Sequence, residues 1–88
     1  MKPLILQGDT TSHGGSVVEG ATTTRVNNRP VARVSDRVIC PHSGHSPAVI
    51  VTGDTTTLVE GRAVARHGDR CSCGATLIAS VADTGILS

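Results

Sequence analysis

Apolar positions along this chain keep a period of two where they keep any period. The segment Pro30-Val31-Ala32-Arg33-Val34 alternates, which predicts a strand with one packed and one solvated face. No segment repeats its apolar residues at the 3.6-residue spacing of a helix. Short runs bounded by turn residues predict strands over 22–26, 29–34, 55–59 and 62–67, with two more over 48–52 and 76–80. Asn27-Asn28 separates the first pair and Glu60-Gly61 the second. Asn and Gly tolerate positive φ, so each dipeptide predicts a two-residue hairpin turn. The expected fold class is all-β.

The strand pattern recurs because the sequence does. Residues 18–40 (VEGATTTRVNNRPVARVSDRVIC) align with 51–73 (VTGDTTTLVEGRAVARHGDRCSC) at an offset of 33, and 13 of the 23 pairs are identical. That density marks a duplicated unit. The edges extend it, since residues 8–17 (GDTTSHGGSV) resemble 68–77 (GDRCSCGATL). The copies differ by a six-residue insertion around Pro41-His42-Ser43-Gly44-His45-Ser46.

Composition makes this strand-rich design short of core. The chain has 88 residues with no Phe, Tyr or Trp, so Val, Ile, Leu, Ala and Thr methyls must fill the interior of one small domain. A domain of this kind is expected to need a staple. Three Cys cannot complete a disulfide framework, which leaves a metal as the expected staple. The opening apolar run is too short for a signal peptide, and no stretch is long enough to cross a bilayer. Synthesis in a reducing cytoplasm is therefore expected, with the thiols available to metal. Net charge is +1 with scattered basic residues, and the lack of aromatics leaves nucleic-acid binding without support.

A metal needs ligands that converge, and a repeated turn offers them. Gly8-Asp9, Ser35-Asp36 and Gly68-Asp69 are each followed, four residues after the Asp, by His13, Cys40 and Cys73. Related turns can point these three at one place. A structural zinc takes four Cys or His ligands, so the fourth has to come from the insertion, as His42 or His45. Gly44 gives His45 a hinge, whereas His42 lies two residues from Cys40 and makes a cramped chelate. His67 stands opposite Val34, and Cys71 opposite Val38 and Thr11, so both read as packing or surface residues. Asp9, Asp36 and Asp69 are expected to shape their turns by accepting hydrogen bonds from following amides.

Catalysis has less to build on. An open metal site would need a water position and a nearby acid or base, yet the only Glu residues, Glu19 and Glu60, sit beside turn glycines. No Ser-His-Asp arrangement, phosphate-cradling loop or nucleotide fingerprint is present. The expectation is a structural metal in a protein that is not an enzyme. A free-standing zinc-binding β module serving as an adaptor is the alternative reading.

With these residues in view, the chain resembles the PAAR-repeat family. The resemblance rests on Pro30-Val31-Ala32-Arg33, Ala63-Val64-Ala65-Arg66, the opening Gly8-Asp9 to Gly15, the middle Cys40-Pro41 with Gly44-His45, and Cys73-Gly74-Ala75-Thr76-Leu77. It implies a small cone-shaped, pseudo-symmetric β-structure over residues 1–88, with one zinc, or alternatively iron, near the apex. The matching ligand positions are His13, Cys40, His45 and Cys73. The implied function is the tip of a bacterial type VI secretion spike. One tip would cap each trimeric valine-glycine repeat (VgrG) protein, help puncture the target-cell membrane and serve effector proteins. With the chain stopping at Ser88, no toxin extension is expected and any effector would be a separate protein. Export as part of the spike would replace a cleaved signal. Docking on a three-fold partner implies a broad face burying roughly 800 Å², for which residues 22–24 and 55–57 are candidates through strand addition.

Overall fold

The computed structural model describes residues 3–41 and 48–80. Among the described residues there is no helix, and the chain is all-β, as the apolar pattern predicts. The strands are β1 (Thr10–Thr11), β2 (Ser16–Val17), β3 (Arg25–Val26), β4 (Arg29–Pro30), β5 (Arg37–Ile39), β6 (Ala48–Val49), β7 (Asp54–Val59), β8 (Arg62–Val64) and β9 (Leu77–Ile78).

Five of these form an antiparallel sheet in the order β6-β5-β2-β1-β9. Isolated bridges Ile50↔Cys71 and Arg70↔Thr76 place residues 70–71 between the two sheet edges. The sheet therefore closes on itself, which removes its free edges. Side chains alternate across it: Thr11, Val17, Val38, Ile50, Cys71 and Leu77 are buried inside, while Thr10, Arg37, Ile39 and Ile78 face outward.

Both expected hairpins form, as β3–β4 and β7–β8. Asn27 and Asn28 take φ of 52° and 65°, and Glu60 and Gly61 take 54° and 81°, the left-handed pairs of a type I′ turn. The strands are shorter than the pattern suggests. β4 and β8 stop at Pro30 and Val64, because the following residues leave their hairpins to pair at the molecular centre. There, Ile5 N–H donates to Ala65 O (2.9 Å), Ala65 N–H to Ala32 O (2.9 Å), and Ala32 N–H to Ile5 O (2.8 Å).

That cycle of three peptides reveals a three-fold relation. Pro3-Leu4-Ile5-Leu6 occupies the place of Pro30-Val31-Ala32-Arg33 and Ala63-Val64-Ala65-Arg66. A second cycle repeats it, with Gln7 N–H to Pro30 O (2.8 Å), Val34 N–H to Ala63 O (2.9 Å) and His67 N–H to Pro3 O (2.8 Å). The sequence shows two copies; the structure holds three. Ile5, Ala32 and Ala65 are all fully buried where the three backbones meet.

The centre divides the core. Ile5, Ala32 and Ala65 join a cluster with Val17, Val38, Cys40, Ile50, Cys71 and Leu77. Their neighbours Leu4, Leu6, Val31 and Val64 point the other way, into a second cluster with Ala21 and Val59. Strand alternation at the central crossing sends successive side chains to opposite sides.

Each unit then turns sharply upward toward the site. Asp9, Asp36 and Asp69 donate their N–H to the carbonyls of Leu6, Arg33 and Arg66, each at 3.0 Å. Their carboxylates accept in return from the N–H of Leu6, Arg33 and Arg66, each at 2.8 Å. The hydrogen bonds thus reach back three residues rather than forward. The reversal comes from positive φ at Gly8 (96°), Ser35 (80°) and Gly68 (93°), which folds each turn so that the carboxylate faces its first amide.

Two of these carboxylates, Asp9 and Asp36, also anchor the hairpins. Arg29 pairs with Asp9 (2.6 Å), and Arg33 and Arg62 both pair with Asp36 (2.9 Å each). Arg33 also pairs with Glu60, and Arg66 with Asp54 at 2.9 Å. Arg33 is only 7% exposed, and its hydrogen bond to Asp36 raises its pKa further, so its charge is permanent. The motif arginines therefore fasten turn to hairpin.

Candidate metal centre

Each closing turn passes its chain into a strand that climbs to a tight apical loop. In the first, Thr11 N–H donates to Gly15 O (3.1 Å) and Gly14 N–H to Thr11 O (3.0 Å), and His13 projects from the bend. In the last, Cys71 N–H donates to Ala75 O (2.9 Å) and Gly74 N–H to Cys71 O (2.9 Å), and Cys73 projects in the same way. Cys40 follows β5 directly and is 2% exposed.

The three side chains converge. One donor atom each from His13, Cys40 and Cys73 lies within 4.8 Å of the others. His13 Nδ1 stands 3.4 Å from Cys40 Sγ. A tetrahedral zinc with bonds of about 2.0–2.3 Å has ligand-to-ligand edges of about 3.3–3.8 Å, so this spacing suits such an ion. Two sulfurs and an imidazole form a soft donor set typical of zinc. Cys73 is pushed toward its thiol form by burial and by the facing Cys40 sulfur. A bound cation would reverse that preference by taking the thiolates as ligands.

His45, expected as the fourth ligand, and its alternative His42 both lie outside the described residues. Cys71 is a core residue at 3% exposure, in the layer shared with Thr11 and Val38, and it does not belong to the ligand group. Burial is the main cause that pushes its thiol up to about 12, with the Cys73 and Cys40 sulfurs adding to it. His67 is a surface residue whose Nδ1 accepts the Ala79 N–H at 3.1 Å.

The docking candidates differ from simple strands. Thr22 and Thr23 precede β3 and donate their hydroxyls to Glu60, at 3.2 Å and 2.6 Å. Residues 55–57 lie in β7, where the register shifts between Asp54 and Leu58.

A family model described as PAAR motif matches residues 7–79. The chain belongs to this family. No curated protein matches it. The matched span contains His13, Cys40 and Cys73, both recognisable PAAR segments and all three Asp-closed turns.

Two features of the PAAR apex were not evident from sequence. Gly15 lies where a Cβ would come 1.8 Å from Ile39 O, so the first loop passes against β5 with no room for a side chain. Ala48 and Ala75 hold the related places and are both buried. The other is Thr11, whose hydroxyl sits inside the first apical loop. Its only signal in the sequence is that its related positions, Val38 and Cys71, are not hydroxyl residues.

Proposed function

We propose that this PAAR protein is a structural, non-catalytic tip that caps and sharpens the trimeric VgrG spike of a bacterial type VI secretion system. In this reading it aids membrane puncture and the recruitment or delivery of effectors. It is made in the cytoplasm and leaves as part of the spike.

The observation that carries the reading is the three-fold relation among the units. A single chain with three related units can meet three identical subunits with three similar contacts, so one tip suits one trimer. The same relation brings His13, Cys40 and Cys73 together, from the start, middle and end of the fold. One zinc held by these residues, with a fourth ligand from the insertion, would clamp the apex against force. Metal bonds supply what an aromatic-free core cannot.

The test is association with the cognate VgrG trimer, measured by native mass spectrometry. One chain per trimer is the expected stoichiometry. No association with the cognate spike overturns the reading, and capture of other proteins in its place supports the adaptor alternative.

A further inference from the structure

The first and last apical loops share one backbone scaffold but carry different ligands, so the same amide meets different acceptors in the two. In the last loop the ligand is Cys73, whose sulfur can accept from the amide two residues beyond it, that of Ala75. An N–H aimed at a ligand sulfur stabilises the thiolate and fixes its direction. In the first loop the ligand is His13, which has no sulfur at that place. The corresponding N–H belongs to Gly15 and would be left buried without a partner. It donates instead to Thr11 Oγ1 at 3.1 Å. The same oxygen accepts the His13 N–H at 3.3 Å.

Thr11 is 4% exposed; its bond from Gly15 is buried and its bond from His13 is half-buried. Its counterparts are Val38 and Cys71, which shows that the layer tolerates an apolar side chain of this size. A hydroxyl is needed only where the ligand is an imidazole. Gly15 is constrained twice, since the Ile39 carbonyl leaves no room for a side chain there and its N–H is held by the Thr11 oxygen.

We propose that Thr11 is a positioning residue for the metal centre, its hydroxyl taking over the amide that a cysteine ligand would bind and thereby aiming His13 at the metal. The inference rests on the metal reading above and adds a named residue to it.

Zinc affinity measured by competition with a chromophoric chelator tests it, with Co2+ spectra reporting ligand geometry. Thr11→Val keeps the shape and removes the acceptor, and should weaken zinc binding about tenfold with a shifted Co2+ ligand-field band. Thr11→Ser keeps the acceptor and should stay near wild type. In a His13→Cys background the new sulfur can take the Gly15 N–H, so the Thr11→Val penalty should shrink to within about threefold. Thr11→Ala repeats the comparison should the valine variant fail to fold. Equal affinity for the Val and Ser variants overturns the proposal, as does a Val penalty that is undiminished beside His13→Cys. Wild-type protein that takes no zinc overturns the metal reading itself, a result distinct from either.

Discussion

Cys71 shows how little separates a ligand from a core residue in this chain. It is two positions from Cys73, yet its side chain turns into the interior layer of Thr11 and Val38. In the metal-free protein its pKa stands near 12 against an ordinary 9.0, chiefly through burial. A folded-state pKa above the unfolded one favours folding below about pH 9, and that contribution is lost as pH climbs toward 12. Metal-free wild type should therefore lose stability in that alkaline window. Cys71→Val, which copies Val38, should blunt the loss and still bind one metal ion per chain. Urea midpoints across pH 8–12, with elemental analysis of the reloaded variant, check both outcomes. A variant unable to hold metal would place Cys71 in the ligand set.

The unit of construction is the Asp-closed turn followed by a climbing strand. Its sequence signal, Gly-Asp or Ser-Asp four residues before His13, Cys40 or Cys73, was plain, and so were the hairpins at 27–28 and 60–61. Strand lengths were not. Arg33 and Arg66 read as strand residues by alternation, but they leave their hairpins, form isolated bridges with Val64 and Leu4 of other units, and give their amides to Asp36 and Asp69. Local pattern cannot say whether an extended residue pairs with its own hairpin or with a distant copy. One turn also carries strain, since Ser35 holds φ of 80° where its counterparts are Gly8 and Gly68. Ser35→Gly removes a left-handed penalty at the cost of a looser unfolded chain, and a net stabilisation of about 0.5–1 kcal/mol is expected. A denaturant midpoint that falls in this variant contradicts the assignment of strain.

For the whole molecule, the three-fold plan and the clustering of His13, Cys40 and Cys73 are one fact seen twice. The peptide cycle at the centre aligns three units, and alignment of the units brings three apical side chains within 4.8 Å. Removing the metal should leave two thiols and an imidazole crowded without a cation, above a core that lacks aromatic residues. Chelation is expected to lower the thermal midpoint steeply, with apparent zinc binding in small domains worth on the order of 10 kcal/mol. One equivalent of zinc should restore it. His13→Ala and Cys73→Ala should melt near the chelated wild type and respond little to added zinc. Calorimetry that finds the same midpoint with and without chelator removes the clamp from the account. Acid should act in the same direction, because protons compete with metal for the two thiolates.

The sequence by itself determined the fold class, the hairpin turns, the duplication and three of the proposed ligands, because alternation, turn chemistry and spacing are local or periodic signals. Only the tertiary structure decided that the plan is three-fold. Pro3-Leu4-Ile5-Leu6 shares just its Pro with Pro30-Val31-Ala32-Arg33, and the six-residue insertion makes the spacing between units unequal. Its kinship lies mainly in backbone hydrogen bonds, which a residue makes whatever its side chain, so the letters record little of it. The same holds for Thr11, Gly15 and the backward reach of the Asp carboxylates. Their roles depend on which distant carbonyl or amide stands beside them, and chain closure alone settles that.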